Sequence, residues 1–275
     1  KLRVMGNKLN ILSNLSHLNT LKSTLCDFDL KTPSDFIKDE SAKDKYIWKP
    51  FNSSGGYGIS YQQKNSPDYY KQKYLPGDTF SVSFICNSLD FKNLGFNKLL
   101  LLKDYPEHPF IHAGAIMTQL VDDSEKIIKS FSGLAKVLGL NGYNNIDFKL
   151  IKNNIYILDI NPRITSTFKM YNDLYDNKLL QTQLNSNNIM LNDLVSLHEN
   201  IYGFVHLFAK DDFLFKQYVN DDNVISMPKN GEYIKKGDPI CSIYLNALSD
   251  TDLVLKLEEK ISNLRNYYNF YDIVI

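Results

Sequence analysis

Two aspartates near the middle of the chain have the spacing of a paired acidic site. Asp147 and Asp159 lie 12 positions apart, in strand-like runs joined by a turn at residues 152–154, so antiparallel pairing would bring them to the same end of a sheet. Alternation places Asn161 and Arg163 in phase with Asp159. Two carboxylates and an amide oxygen suit magnesium with nucleotide phosphates, and a guanidinium suits a phosphoryl or carboxylate group. The alternative is a row of solvated strand residues, but an acid that ends an apolar run favours a functional site.

A glycine-rich loop follows a lysine at the end of a predicted strand. The stretch "YIWKPFNSSGGYGIS" contains Lys49 and then the loop residues Ser53, Ser54, Gly55, Gly56 and Gly58. Glycines let backbone N–H groups converge on an anion, and a nearby lysine adds a positive charge. The Walker A spacing of glycine, lysine and hydroxyl residue is absent. Taken alone, the stretch is better interpreted as a turn between strands.

A third stretch could hold a purine ring. In "YKQKYLPGDTF", a predicted strand ends with Gln72, Lys73, Tyr74 and Leu75. Tyrosine and leucine side chains would supply apolar walls, the backbone would supply polar groups, and the lysine would supply a donor. By itself this signal is weak.

The elements that would position these residues alternate between helices and strands. The patterns predict helices over 9–28, 124–138, 170–184, 191–202 and 250–267, with Asp122 or Asp123 as a cap and Gly139 as a stop for the second one. Strand patterns cover 46–48, 70–75, 77–87, 96–104, 111–119, 144–164 with its turn, 205–209 and 240–245. We find no internal repeat and no long linker, so we expect an α/β (α+β) protein divided into subdomains.

Composition excludes several classes of protein. The 31 basic and 31 acidic residues balance, which argues against nucleic acid or an anionic membrane as a partner. No apolar run approaches the length of a membrane span. Cys26, Cys86 and Cys241 stand far apart, which disfavours a zinc site or disulfides and fits a cytoplasmic protein.

The three stretches, taken in this order, resemble the ATP-grasp superfamily. The resemblance rests on Lys49-Pro50 followed by "NSSGGYG", on "QKYLPG", and on Asp147 followed by "DINPR". The "QKYL" stretch is similar to the hinge of biotin carboxylase. The tail "VISMPKNGEYIKKGDPICSIYLNA" is similar to that of a biotin carboxylase-related branch of carboxylate–amine ligases. The resemblance covers nearly the whole chain, from about Met5 to the terminal helix.

The resemblance implies a fold and a division of the chain. It implies two α+β subdomains with antiparallel sheets that sandwich ATP, followed by a C-terminal β-rich extension. The chain would consist of a helical lead-in (1–40), a small subdomain with the glycine-rich lid (41–76), a large subdomain with the metal site (77–200) and the extension with its helix (201–275). An N-terminal domain usually precedes an ATP-grasp region, and this sequence starts near the end of such a domain, so we expect either a fragment or a protein whose N-terminal portion was removed or left out.

The resemblance also implies a role for each site residue. Lys49 would contact the α- and β-phosphates, and Ser53, Ser54, Gly55, Gly56 and Gly58 would close over the β- and γ-phosphates. Lys73 and the backbone of Gln72, Tyr74 and Leu75 would hold the adenine. Asp147 would bind one magnesium ion, Asp159 would bridge two ions and Asn161 would hold the second, with manganese as a substitute. Arg163 would stabilise an acyl phosphate. An aspartate at position 159, where glutamate is commoner, has a shorter reach.

The implied activity joins small-molecule partners. A carboxylate would be activated by ATP and joined to an amine or a thiol, with ADP and phosphate released, and a homodimer is a candidate assembly. The alternatives are an ATP-grasp kinase acting on a hydroxyl group and a nucleotide-binding module without catalysis. Tyr171, Tyr175, and Lys169 or Lys178 are candidates for the acceptor side, although aromatic residues at helical spacing are more often core. His108 and His112 are candidates for substrate contact, although a lone histidine is more often structural.

Overall fold

The chain divides into two compact units. The structure is a computed structural model, and it describes residues 6–15, 21–36, 45–51, 54–120, 124–184, 191, 194–196, 199–216 and 220–275. The first unit is formed by Lys1–Asn52, Tyr61–Lys98 and Thr118–His198, and the second by Ser53–Ser60, Leu99–Met117 and Glu199–Ile275.

Strands outnumber helices in the described part of the chain. The strands are β1 (Leu30–Lys31), β2 (Tyr46–Pro50), β3 (Tyr69–Lys73), β4 (Phe80–Cys86), β5 (Phe91–Leu102), β6 (His112–Thr118), β7 (Gly142–Ile151), β8 (Asn154–Asn161), β9 (Ile201–Phe208), β10 (Phe213–Leu214), β11 (Val224–Ile225), β12 (Tyr233–Ile234), β13 (Pro239–Ala247) and β14 (Ile273–Val274). The helices are α1 (Leu9–Asn14), α2 (Lys22–Cys26), α3 (Ser124–Leu138), α4 (Phe168–Leu174), α5 (Lys178–Leu184) and α6 (Asp250–Leu264), with a 3₁₀ turn at Pro33–Asp35.

The first unit is built on a mainly antiparallel sheet. Its strand order is β1–β8–β7–β4–β5, and only β1 and β8 run parallel. One face of the sheet is apolar and packs on α3, with the Phe131 and Phe148 rings 5.4 Å apart. This helix buries Ile127, Phe131 and Leu134, because residues three and four positions apart share one side of a helix.

The opposite face of this sheet is polar although it is buried. The Asn97 side chain donates to Ser81 at 3.1 Å and to Ser83 at 3.3 Å, and Asn145 donates to Ser83 at 3.2 Å. Because side chains alternate along a strand, Asn145 lies on the same face as Asp147. A buried polar group is stable only when it is hydrogen-bonded, so this network gives the acidic strand fixed neighbours.

The second unit has its own hydrophobic core. Within it β9 lies between β6 and β13, and β11 pairs with the far side of β13. Helix α6 packs Leu253 and Leu257 against Val205, Leu207 and Ile243. The side chain of Ser249 caps this helix by accepting a hydrogen bond from the Asp252 N–H, an arrangement that satisfies one of the exposed donors at a helix start.

Most predicted elements have a counterpart, with shifted bounds. Helix α3 matches the predicted span and ends at Leu138, just before Gly139, which has φ +67°. The proposed caps Asp122 and Asp123 lie outside the described residues. The first predicted helix is seen as α1 and α2, and residues 16–20 between them are also outside the described part. The terminal helix ends at Leu264, three residues before the predicted end.

Two helix predictions need correction. The 170–184 pattern forms two helices, because Asp176 and Asn177 adopt left-handed backbone angles that end α4. The prediction of helix for 191–202 is wrong at its last two residues. Ile201 and Tyr202 begin β9 and pair with Ala247 and Asn246. Pairing with a neighbouring strand overrides a short helical pattern. None of the helices among the described residues has the length and apolar character needed to span a membrane.

Candidate functional site

The two central aspartates face each other across β7 and β8. Asp147 pairs directly with Asp159, and Asn145 pairs with Asn161. Directly opposed residues in an antiparallel pair carry their side chains on the same face. The predicted placement of Asp147, Asp159 and Asn161 together is confirmed, while their role as metal ligands stays a prediction.

A hydrogen-bonded chain extends from the acids to the arginine. Asn161 donates through Nδ2 to Asp147 Oδ2 at 3.2 Å, and Arg163 donates through Nη2 to Asn161 Oδ1 at 3.3 Å. The Ile160 N–H donates to Asp159 Oδ1 at 2.9 Å. The amide of Asn161 therefore lies between a carboxylate and a guanidinium, and it holds both in position.

A β-bulge brings Lys49 to the same site. Phe148 pairs with Ile157 while Asp147 pairs with Asp159, so Leu158 is an extra residue on β8. A bulge of this kind removes one residue from the ladder, and the Leu158 carbonyl instead accepts a hydrogen bond from Lys49 Nζ at 3.2 Å. Lys49 sits on β2 and pairs with Tyr70 of β3. Its ammonium group is thus anchored one residue before Asp159.

The electrostatics of the acidic pair favour an added positive charge. The pKa of Asp147 is raised to about 7, chiefly by burial and secondly by the nearby Asp159 carboxylate, while Lys49, Asn161 and Arg163 act in the opposite direction. Two carboxylates that oppose each other cannot both ionise without cost unless a cation lies between them. The donor set of two carboxylates and an amide oxygen fits magnesium, whose shell phosphates and water complete. The described residues contain no group of three or more His, Cys, Asp and Glu side chains arranged for a metal, so non-protein ligands would be needed.

The stretch proposed to hold adenine lies at the end of β3. Gln72 pairs with Ile47 across the β2–β3 hairpin. The Lys73 ammonium lies 5.8 Å from the Phe36 ring centroid, and the Tyr74 N–H donates to the Lys45 carbonyl at 2.8 Å. Leu75 is buried. The segment is therefore fixed by backbone and aromatic contacts.

The glycine loop belongs to the second unit and has the backbone that only glycine adopts easily. Gly55, Gly56 and Gly58 have φ of +64°, +79° and +77°, and a Cβ at Gly56 would collide with the Phe110 carbonyl group. The Gly55 carbonyl accepts a hydrogen bond from the His112 N–H at 2.8 Å. Ser54 is exposed, and Ser53 lies outside the described residues. Contact of this loop with phosphate stays a prediction.

A family model, that of the ATP-grasp domain, matches residues 18–167, more than half of the chain. The chain belongs to the ATP-grasp family. An uncharacterized protein of Methanocaldococcus jannaschii is 27% identical over 209 residues, covering 72% of this chain and 50% of that protein. The tyramine–L-glutamate ligase of the same organism is 26% identical over 138 residues, covering 50% of this chain and 40% of that protein. The chain thus spans half or less of the length of these relatives.

The solved structures extend the likeness of fold to nearly the whole chain. The biotin carboxylase domain dimer of Hydrogenobacter thermophilus 2-oxoglutarate carboxylase, solved with magnesium ADP, ADP and bicarbonate, superposes with a TM-score of 0.72 at 12% identity. The match covers 98% of this chain and 70% of the solved chain. At this identity the likeness shows the fold alone. The predicted ATP-grasp fold is confirmed, and biotin carboxylase domains are among the solved structures that share it.

Two buried residues at the ATP-grasp site escaped the sequence patterns. Asn7 donates to Asn144 Oδ1 at 2.7 Å and to the Pro162 carbonyl at 3.0 Å, and its Oδ1 accepts the Asn141 N–H at 2.8 Å. It therefore holds the peptide between Asn161 and Arg163. Its partners lie more than 130 positions away, so no local signal could reveal it.

Lys149 is the second of these residues. It is only 8% exposed, and its Nζ donates to the Gly77 carbonyl just after the hinge. Burial lowers the pKa of Lys149 to about 8. Lys149 lies two positions after Asp147 on the same strand, so the alternation of side chains could have placed it on the polar face.

The residues proposed for the acceptor side are mostly structural in this ATP-grasp unit. Tyr171 is 1% exposed and donates to Asn97 Oδ1 at 2.9 Å. Tyr175 is also buried, and Lys169 forms an ion pair with Asp173 at 2.6 Å along the same helix. The two tyrosines thus follow the core interpretation that the helical spacing favoured.

Proposed function

We propose that this ATP-grasp protein is an ATP-dependent carboxylate–amine ligase that acts through an acyl phosphate. The observation that carries the proposal is the opposed pair Asp147 and Asp159, joined through Asn161 to Arg163 and accompanied by Lys49. A binding protein has no need for this full set of charges. A ligase or kinase needs it to place and stabilise a triphosphate during phosphoryl transfer.

The residues divide the binding of Mg-ATP between them. Lys49 would contact the α- and β-phosphates, and the Ser53–Gly58 loop would cover the β- and γ-phosphates. The backbone of Gln72 to Leu75, with Lys73, would hold the adenine. Asp147, Asp159 and Asn161 would hold two magnesium ions, with manganese as a substitute. Bound magnesium would neutralise phosphate charge and polarise the transferred group.

The chemistry then follows from the weakness of a carboxylate as an electrophile. A carboxylate oxygen attacks the γ-phosphorus, the bond to the ADP oxygen breaks, and an acyl phosphate forms. Arg163 would stabilise the charge on the transferred group. An amine nitrogen, or a thiolate in the related reaction, then attacks the carbonyl carbon; phosphate leaves, and an amine gives up one proton. The glycine loop would exclude water, which hydrolyses acyl phosphates.

The named relative suggests where the substrate search should begin. One relative is a tyramine–L-glutamate ligase, so amino-acid carboxylates and small primary amines come first. This chain covers 40% of that protein, and its own substrates stay open. A homodimer is also part of the proposal, and sedimentation would test it.

A thermal shift assay tests the nucleotide part of the proposal. Mg-ATP should raise the melting temperature of the wild-type chain, and Asp159→Asn should remove the magnesium-dependent part of that rise. Asp27→Asn, an exposed aspartate, is the matched control and should behave as wild type. No stabilisation by Mg-ATP would overturn the nucleotide assignment.

Product analysis separates the ligase from its alternatives. Pairs of carboxylates and amines should give phosphate release and an amide whose mass is the sum of both substrates less water. A kinase would instead give ADP and a phosphoester without free phosphate. Stabilisation by Mg-ATP without turnover under any pair would favour the binding module.

A further inference from the structure

The β7–β8 hairpin is closed at one end by its turn and open at the other. The pair at the open end is Asn145 with Asn161, and β8 stops there because Pro162 has no N–H with which to continue the ladder. Arg163 follows directly and is exposed. The arginine proposed to stabilise the transferred group therefore lies beyond the strand pairing, and contacts other than the ladder must hold it.

The side chain of Asn7 joins the two chain segments at this open end. Its Nδ2 donates to Asn144 Oδ1 at 2.7 Å and to the Pro162 carbonyl at 3.0 Å, and its Oδ1 accepts from the Asn141 N–H at 2.8 Å. Asn141 and Asn144 lie where the chain enters β7, and Pro162 lies where it leaves β8. All four residues belong to the first unit, and we call them the Asn7 clamp.

An asparagine suits this position because its amide both donates and accepts. Two N–H groups of Asn7 face oxygens and its oxygen faces an N–H, so one short side chain makes three hydrogen bonds. Asn7 is buried, and a buried polar group is costly unless such partners satisfy it. Asn144 is fixed in turn, since its own Nδ2 donates to the Gly142 carbonyl at 2.7 Å. Each of the two amides thus has one defined orientation.

The chain around Arg163 is anchored again further along. The Tyr143 hydroxyl lies 2.8 Å from Thr167 Oγ1 and 3.4 Å from Thr165 Oγ1, and Tyr143 is buried on β7. Arg163 lies between this anchor and the clamp, and it directly follows the residue whose carbonyl Asn7 holds. A change at Asn7 should therefore reach the arginine before it reaches the threonines.

Asn161 and Arg163 differ in how far they depend on the clamp. Asn161 is held by strand pairing with Asn145 and by its hydrogen bond to Asp147. Arg163 lies outside β8, and its guanidinium donates to Asn161 Oδ1 at 3.3 Å and to the Ile164 carbonyl at 3.2 Å, both in the same stretch of chain. Loss of the clamp should therefore displace the guanidinium more than the Asn161 amide.

We propose that Asn7 is a positioning residue that clamps the open end of the β7–β8 hairpin and thereby places Arg163 for phosphoryl transfer. The first part stands on the hydrogen bonds of the clamp, and the second rests on the proposed function. Asn7 precedes residues 18–167, the part of the chain that the ATP-grasp model matches. The domain thus takes a positioning residue from the segment before it. No contact of Asn7 with a reacting atom is assigned.

Hydrogen exchange of the nucleotide-free chain tests the clamp directly. Asn7→Ala removes all three hydrogen bonds, so the amides of 163–167 should exchange roughly tenfold faster relative to those of 155–158 in β8. Gln183→Ala is the matched control: it removes another buried amide, whose Oε1 accepts the Tyr143 N–H at 2.6 Å outside the clamp. This control should exchange as wild type at 163–167. Equal acceleration in both variants, or none in Asn7→Ala, would overturn the clamp.

Kinetics tests the positioning role. In an active ligase, Asn7→Ala should lower kcat roughly tenfold and keep the KM for ATP within about threefold, because the guanidinium acts in the transition state. In an Arg163→Ala background the same change should cost less than about twofold more, since two substitutions that act through one group are not additive. Gln183→Ala should turn over within about twofold of wild type. Equal losses from Asn7→Ala with and without Arg163 would show a merely structural role and overturn the positioning.

The outcomes separate failure of this inference from failure of the ligase proposal. Faster exchange in Asn7→Ala, with no ligation by the wild-type chain, would keep the clamp and discard the ligase. Ligation whose kcat is unchanged by Asn7→Ala would keep the ligase and discard the positioning role. Should Asn7→Ala fail to fold, Asn7→Ser keeps a hydroxyl that reaches fewer partners and should give the same pattern at reduced size. Wild-type exchange at 163–167 in Asn7→Ser would then overturn the clamp.

Discussion

The two hairpins that carry the candidate ATP site are closed in opposite ways. The β7–β8 hairpin turns through Lys152 and Asn153 alone, both with positive φ, and this tight turn fixes Asp147 opposite Asp159. The β2–β3 hairpin has Lys49 near one end and a long connection that contains the glycine loop. Metal ligands require a fixed register, since a slip by one residue would turn one acid to the other face. A cover for phosphates requires a backbone that can adopt unusual angles and approach closely.

The largest expected effect comes from removing one carboxylate of the β7–β8 hairpin without changing the size of the side chain. Asp147→Asn keeps the size of the side chain but removes one carboxylate from the opposed pair, so turnover should fall at least a hundredfold and the magnesium-dependent rise in melting temperature should vanish. Without nucleotide, the variant should be at least as stable as wild type at pH 8, because the amide avoids the cost of a buried charge. Paired melting curves with and without Mg-ATP check both parts. Retained magnesium dependence would show that Asp147 is not a ligand.

The second prediction disturbs the glycine loop in the connection of the β2–β3 hairpin. Gly56→Ala would place a Cβ against the Phe110 carbonyl, and φ +79° adds strain; we expect the KM for ATP to rise roughly tenfold and stability to fall by about 2 kcal/mol. Gly55→Ala is the matched control: it has a similar φ, but a Cβ there meets no atom within 4 Å. It should cost only about 1 kcal/mol.

Equal effects of the two substitutions would mean that backbone angle, and not the contact with Phe110, sets the loop. An unchanged KM for ATP in Gly56→Ala would separate the loop from the phosphates altogether. Urea unfolding and initial rates on both variants measure these outcomes.

The contrast between the hairpins also explains what the sequence could predict. Asp147, Asp159 and Asn161 share one turn, so counting residues and applying strand alternation was enough to bring them together. Asn7, the Phe110 carbonyl and the Leu158 bulge depend on pairings between distant segments or on a one-residue irregularity in a ladder. No periodicity encodes these features. The end of the 191–202 stretch shows the same limit, because Ile201 and Tyr202 are strand residues through pairing with Ala247 and Asn246 of β13.

The third prediction concerns pH and sharpens the role of the opposed acids. The pKa of Asp147 is raised to about 7 in the folded chain, above that of an unfolded aspartate near ~4. Below pH ~4 both states are protonated, and as pH rises to 7 the unfolded state releases its proton first. The nucleotide-free chain should therefore lose stability from pH 4 to 7 through this group.

Magnesium requires the ionised acid, so the stabilisation by Mg-ATP should grow between pH 6 and 8. Asp147→Asn should show neither dependence, and urea unfolding at unit pH steps measures both. A wild-type profile that matches the variant's would contradict the assignment of the shift to Asp147.

The smallest expected effect comes from stabilising the turn of the β7–β8 hairpin without changing Asp147 or Asp159. Lys152 has φ +48° in the two-residue turn, a left-handed conformation that asparagine tolerates better than lysine. Lys152→Asn should therefore stabilise the chain by about 0.5 kcal/mol, with the Mg-ATP midpoint unchanged. If the stabilised turn also shifted that midpoint, the register of Asp147 and Asp159 would not be set by the fold alone. The metal affinity would then depend on how often the β7–β8 hairpin opens.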